Sequence, residues 1–314
     1  MLRFNLQLLS KYKSSLMGIA TIMILLTHAP AYDIVLPYNL NSLLGACQVG
    51  VMIFFFLSGV GLYYSLEQNK LENISSLFTW YKKRLVRLLF PYLIIYGSAH
   101  AILCLENDWN IFRYVFDIST ISFWFGHSTC WFVNVILLLY ILVPLWYKLL
   151  KALDHPVIPT ILIFVMLVFS GNGYFIQASV FFVGFWLAKY IRKEYVLTTK
   201  GLSFIFLLVF LALTLYYCFN FGYLLLILIW PLLIILCIIL DTIRSNKLLK
   251  GLQFFGNISL ESYLFNTTLY IWLDTYNLIP NSIYEYRYLL IIIIGTFLSY
   301  CVNKISKIVI SKLI

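Results

Sequence analysis

Runs of apolar residues separated by short polar stretches repeat along the whole chain. A helix needs about 20 mostly apolar residues to cross a hydrocarbon core of about 30 Å. Segments near residues 15–31, 43–66, 88–104, 131–150, 157–171, 174–191, 201–219, 221–241, 254–274 and 288–309 meet or approach that length. The pattern predicts an all-α integral membrane protein, a bundle of about ten transmembrane helices. Residues 210–240 are almost continuously apolar, and the turn signal Asn220-Phe221-Gly222 divides that stretch in two.

The basic residues orient the bundle. With the amino terminus cytoplasmic and the loops alternating, all of the 22 Lys and Arg except Arg113 and Arg287 fall on the cytoplasmic side. Positive residues collect on that side of membrane proteins. A miscounted helix would flip every later loop and spoil the segregation, so both termini are expected inside. The first span has a basic start and an Ala29-Pro30-Ala31 sequence resembling a signal cleavage site. A Pro inside that site and nine further spans in phase argue that the helix is retained.

Composition agrees. The chain has 314 residues, 62% of them hydrophobic and 11% charged, with a mean hydropathy of +0.93. Soluble domains carry about 25% charged residues. A secreted disulfide scaffold, a disordered tail, a nucleic-acid binder and an ordinary cytosolic enzyme are all excluded. The net charge of +10 reflects loop segregation, so no nucleic-acid partner is expected. Six scattered cysteines form no pair at metal spacing, and no metal site is expected.

Ionisable residues within the spans are functional candidates, because burying one in lipid costs a few kcal/mol. His28 lies toward the outer end of the first helix, about 20 Å from the cytoplasmic edge at a rise of about 1.5 Å per residue. Its side chain suits proton transfer near neutrality; taken alone, the reading of an interfacial His reaching water wins narrowly. Glu261, a third of the way into the ninth helix, must pair, face a wet cavity or stay protonated. His100 in the third span is a weaker candidate. Arg84 and Arg87 share a helix face at the cytoplasmic end of that span, beside Lys82 and Lys83. Their guanidinium forks suit phosphates, and equally a basic collar on anionic lipid. Ser58, Gly59 and Gly61 are small residues that let helices approach closely.

These pieces in order resemble the membrane acyltransferase-3 family, whose members O-acylate polysaccharides, lipids and related acceptors. Leu16-Met-Gly-Ile-Ala20 followed by His28 is similar to the family's first-helix signature, which ends in its catalytic His. Gly50-Val-Met-Ile-Phe-Phe-Phe-Leu-Ser-Gly59 resembles the second-helix signature, and Tyr81-Lys-Lys-Arg-Leu-Val-Arg87 with Pro91-Tyr92 the paired-Arg element. Trp131, Tyr140 and Pro144 keep the spacing of the fourth-helix element. Phe181-Phe-Val-Gly184 and Gly256-Asn-Ile-Ser-Leu-Glu-Ser-Tyr-Leu264 resemble later landmarks. Four positions depart from the common pattern: Met17 replaces a basic residue, Met52 an acidic one, Ile136 a Glu and Asn266 a His.

The resemblance implies that residues 1–314 form a single transmembrane acyltransferase-like domain. It implies an O-acyltransferase with His28 as general base and Arg84 and Arg87 holding the phosphates of a cytosolic acyl-CoA co-substrate, acetyl-CoA foremost. Glu261, Asn266, Trp131 and Ser58 are expected in substrate or supporting roles. The acceptor is expected to be an extracytoplasmic glycan or lipid-linked sugar. The partners are then acyl-CoA, that acceptor and the lipid bilayer; a homo-oligomer is compatible, and no permanently bound cofactor is implied. The expected location is a cell membrane crossed many times, of the bacterial cytoplasmic (inner) kind. Two rival classes use the same residues: a transporter or flippase of an envelope precursor, and a non-catalytic envelope-assembly subunit.

Overall fold

Apolar residues at helical period, with Asn at the starts of helices, organise the chain into helices joined by short connections. The computed structural model describes residues 3–32, 44–69, 73–108, 110–126, 130–153, 155–219, 226, 228–243, 245–279 and 286–313. The Asn220-Phe221-Gly222 turn, Lys70 and Arg244 lie outside the described residues. The helices are α1 (Gln7–Lys11), α2 (Lys13–His28), α3 (Val49–Asn69), α4 (Ile74–Glu106), α5 (Ile111–Ile118), α6 (Trp131–Ala152) and α7 (Val157–Val168). They continue with α8 (Gly173–Arg192), α9 (Thr199–Phe219), α10 (Ile229–Thr242), α11 (Asn246–Asn257), α12 (Ser259–Thr275) and α13 (Arg287–Leu313). One two-residue antiparallel pairing joins β1 (Phe4–Asn5) to β2 (Val196–Leu197).

Each apolar segment expected from the sequence has a helix over part of it, and among the described residues the fold is all-α apart from that short pairing. Among the described residues, five helical stretches are long and apolar enough to cross a membrane: Leu44–Asn69, Ile74–Glu106, Trp131–Ala152, Gly173–Arg192 and Arg287–Leu313. Lys13–His28, Val157–Val168 and Ile229–Thr242 are shorter apolar helices. Several boundaries differ from the expectation. The first helix stops at His28 and tightens into a 3-10 turn over Ala29–Tyr32. α4 extends far beyond residues 88–104 because Asn73 starts it with a capping box, accepting from the Ser76 backbone N–H while Ser76 reaches back. The segment expected at 254–274 divides at Ile258 into the amphipathic α11 and the buried α12.

Two compact units make up the chain. The first comprises residues 1–23, 48–68 and 145–257. Its helices meet at two glycine crossings. A Cβ on Gly59 would strike the Phe181 carbonyl, and one on Gly184 the Phe56 carbonyl, so α3 and α8 touch backbone to backbone. Gly18 meets Leu252 and Gly256 meets Ser14 in the same way, between α2 and α11. Close approach replaces the hydrophobic drive that lipid does not supply between helices. At the ends of α3, α6 and α8, Glu67 accepts from the Tyr147 hydroxyl at 2.5 Å and pairs with Lys151 at 3.0 Å and Arg192 at 3.3 Å.

The second unit comprises residues 24–47, 69–144 and 258–314. Here α12 packs against both α4 and α13, and α13 against α4. Leu269, Leu273, Tyr288 and Ile291 form a buried cluster with Ala29 and Leu44; Ala99, Ile102 and Ile271 form another. The short α5, capped by Asn110, lies on α4 with Asp117 buried and Ile111 and Phe112 exposed.

Candidate active site

His28 is the last residue of α2, where the helix ends in carbonyls without intrahelical partners. Its ring is half-buried, lies against the Ile24 carbonyl and meets the side-chain amide of Asn266, with Nδ2 2.8 Å from Nδ1. Asn266 is buried on α12, and its Oδ1 lies 3.2 Å from the Tyr288 hydroxyl of α13. Tyr288 is itself buried and donates to the Leu25 carbonyl, one turn before His28. Three helices therefore converge on one imidazole through a tyrosine and an asparagine. The ring has protein partners on one side while staying partly exposed.

Glu261 sits five residues before Asn266 on the same helix. At about 1.5 Å and 100° per residue, the two are about 7.5 Å apart along the axis and point to different sides. Glu261 is buried and accepts from Asn303 Nδ2 of α13 at 3.0 Å, and the charges of Arg87 and Lys307 act on it. Asn266, and not Glu261, is the residue brought to the imidazole.

The paired arginines stand on α4. Arg84 is half-buried over the Trp80 ring, with 5.9 Å from Cζ to the ring centroid, and Arg87 is exposed. Tyr140 of α6 faces the charge of both. Tyr81 ties the two helices together by donating to the Ile141 carbonyl at 2.8 Å. Pro91 and Pro144 lack N–H groups, which leaves the Arg87 and Tyr140 carbonyls without their usual intrahelical donors. Arg87 thus reaches electrostatically to Glu261 at one end of α12, while Asn266 touches His28 further along it.

Trp131 begins α6 and stands edge-on to Phe132, which meets the Tyr263 ring of α12 at 5.5 Å. Ser58 lies half-buried on α3 in the first unit, whereas His28, Arg84, Arg87, Trp131, Glu261 and Asn266 all belong to the second. His100 is buried and lies tilted against the Tyr96 ring at 4.2 Å, and Tyr96 stacks on Tyr92 at 5.0 Å.

The family model described as an acyltransferase domain matches residues 16–303, from the start of the first-helix signature to Asn303. The chain belongs to the acyltransferase-3 family. It is a membrane acyltransferase. Comparison with curated proteins and with solved structures gives no match.

Within this acyltransferase the sequence signatures divide by what they do. Gly18 and Gly256, and Gly59 and Gly184, belong to four different signatures and make the two glycine crossings. Those signatures are packing surfaces at these positions. His28, Asn266 and the arginines carry polar groups into the second unit instead.

Sequence reasoning missed Tyr288, Asn303 and the platform of Trp80 beneath Arg84. A Tyr at the outer edge of a span reads as an interfacial aromatic, and a single Asn among apolar residues near the end of the last helix gave no spacing to recognise. Of the outcomes open to Glu261 the structure shows pairing, with the direct hydrogen bond coming from an amide and the basic groups acting at longer range.

Proposed function

We propose that this acyltransferase moves an acetyl group from cytosolic acetyl-CoA to a hydroxyl of an extracytoplasmic glycan or lipid-linked sugar of the cell envelope. Residues 1–314 act as a single domain that crosses a bacterial cytoplasmic membrane about ten times, with both termini inside. Arg84 and Arg87 hold the phosphates of CoA at the cytoplasmic face, and the pantetheine arm carries the thioester inward toward His28. Charge-assisted bonds from guanidinium to phosphate are the strong kind and suit an anionic donor.

His28 takes the proton of the acceptor hydroxyl as its oxygen attacks the thioester carbonyl. The carbon–sulfur bond then breaks, and the proton returns to the departing thiolate. Holding both reactants beside one oriented base removes much of the entropic cost of the encounter. The observation that carries this reading is the contact between His28 Nδ1 and the buried Asn266 amide, in a chain of an acyltransferase family. A base must be held in a fixed orientation, and an imidazole that served only to reach water would need no such partner. Trp131 and Glu261 support the same helices that present the imidazole.

The test is to incubate the purified protein with radiolabelled acetyl-CoA and envelope glycans. Acetylated glycan should form, and His28→Ala should abolish it. Movement of glycan across a vesicle without thioester cleavage would make the protein a transporter instead, and neither outcome would make it a non-catalytic subunit.

A further inference from the structure

The connection between α4 and α6 has no span of its own in the sequence, yet α5 lies along α4 and not beyond its end. The Tyr114 hydroxyl of α5 donates to the Gly97 carbonyl of α4 at 3.1 Å, and the Tyr92 hydroxyl of α4 donates to the Ile118 carbonyl at 3.0 Å. Gly97 and Tyr92 stand nine and fourteen residues before Glu106, the last residue of α4. At about 1.5 Å per residue, those anchors are about 14 and 21 Å back along the helix. α5 therefore runs beside the apolar stretch of α4, where Leu93 and Ile94 are themselves exposed. At Cys130 the chain is still at that depth. Tyr92 faces Cys130 and Tyr81 donates to the Ile141 carbonyl, so α6 begins level with Tyr92 and runs on in the direction of α5.

α5 and the 3-10 turn after it (Ser122–Phe125) have two distinct faces. Asp117 and Ser122 are buried against the protein, whereas Phe112, Val115, Phe116, Ile121, Trp124 and Phe125 are exposed. No exposed residue between Val115 and Phe125 is charged. Arg113, in the first turn, is exposed and pairs with Asp117 at 3.7 Å. The backbone at the end of α5 is sealed as well. Val115 accepts from the Ser119 N–H, Phe116 from Ser119 Oγ, Asp117 from Ser122 Oγ, Ile118 from Tyr92 and Ser119 from the Ser122 N–H. Five carbonyls thus have five separate donors. A helix end in water can leave its last carbonyls to solvent, but in hydrocarbon each needs a partner within the protein.

We propose that residues 110–126 lie within the bilayer, with Phe112, Val115, Phe116, Ile121, Trp124 and Phe125 against lipid acyl chains. What reads in the sequence as an outer loop is then a lipid-binding surface. Three observations select acyl chains as the occupant. The chain belongs to a membrane family; the apolar face is continuous with the exposed Leu93 and Ile94 of α4; and the backbone beneath it draws no hydrogen bond from water. Six large apolar side chains in one patch are rare on a surface that faces water. Arg113 extends from the first turn toward the headgroups, as long basic side chains near a membrane edge do. The inference is independent of the acetyl-transfer reading.

The experiment places single cysteines on this face of the full-length protein, Val115→Cys, Phe116→Cys and Phe125→Cys, with Glu106→Cys at the exposed end of α4 as the reference. Each is reconstituted into vesicles of phosphatidylcholine and phosphatidylglycerol, and a charged maleimide is supplied to both sides. Labelling of the wild type, with its six native cysteines, is subtracted. An apolar surrounding suppresses the thiolate that reacts, so the three should label at least about tenfold more slowly than Glu106→Cys. All four should label equally once denatured in detergent. A bimane probe attached at the same three positions before reconstitution should be quenched by lipids brominated on their acyl chains, and one at Glu106→Cys should not. Labelling as fast as at Glu106→Cys puts the face in water and overturns the proposal. Slow labelling without quenching means that protein covers the face, a second copy or another chain, and overturns it equally.

Discussion

The Asn266 amide lies 2.8 Å from the imidazole of His28, although 238 residues separate the two in sequence. A helix near the start of the chain and one near its end are therefore joined at a residue suited to proton transfer. Removing the base should cost most: His28→Ala is expected to lower kcat by about 10²- to 10⁴-fold. Asn266→Ala should retain part of that rate, because a misoriented imidazole still accepts protons. Both are read from initial rates at saturating acetyl-CoA. Equal rates for Asn266→Ala and the wild type would remove the amide from the mechanism.

Arg84 and Arg87 are expected to act on the donor alone. A hydrogen bond to a charged group contributes about 1.5–3 kcal/mol, so each Arg→Ala change should raise the KM or Kd for acetyl-CoA by about ten- to a hundredfold. Arg84→Lys should not restore it, since an ammonium lacks the planar fork that rests on Trp80. Titration of CoA by calorimetry measures this directly; an unchanged Kd in the double variant assigns the pair to lipid contact.

The glycine crossings should tolerate no side chain. Gly59→Ala and Gly184→Ala each push a methyl into a facing backbone carbonyl, and Gly18→Ala does the same at the other crossing. Overpacking of this kind costs about 1–3 kcal/mol or more. Gly251→Ala is the control, since nothing lies within 4 Å of its would-be Cβ. Thermal denaturation in detergent should give lower midpoints for the first three variants and no loss for the fourth.

At the ends of α1 and α10, on exposed surface, Lys11 donates to Asp241 at 2.7 Å. The hydrogen bond to Asp241, and then the one to Tyr12, raises the lysine above its ordinary range. A raised pKa means that this contribution to stability is complete below the ordinary lysine value and is lost only as pH climbs through the folded value. The pair should thus be insensitive to pH between 6 and 9. At pH 10 the free-amine fraction of Lys11 should be small, so amine-acylating reagents should label it slowly in the wild type and faster in Asp241→Asn. Equal labelling in the two proteins would mean that the ion pair does not form in solution.

Much of this protein was determined by sequence alone. Hydrophobic runs and their basic flanks marked where helices lie, because the drive to bury apolar surface in lipid acts residue by residue and leaves a local trace. His28, Glu261 and the arginines stood out for the same reason: an ionisable group beside lipid is locally anomalous. Only the tertiary structure decided their partners. Glu261 is bonded to Asn303, His28 to Asn266, and Tyr288 closes the chain back onto Leu25. Hydrogen bonds between distant helices depend on rotation and depth, and neither has a period in the sequence. Tyr288 carried no signal in the sequence, and only the packing of α12 and α13 put its hydroxyl beside an amide.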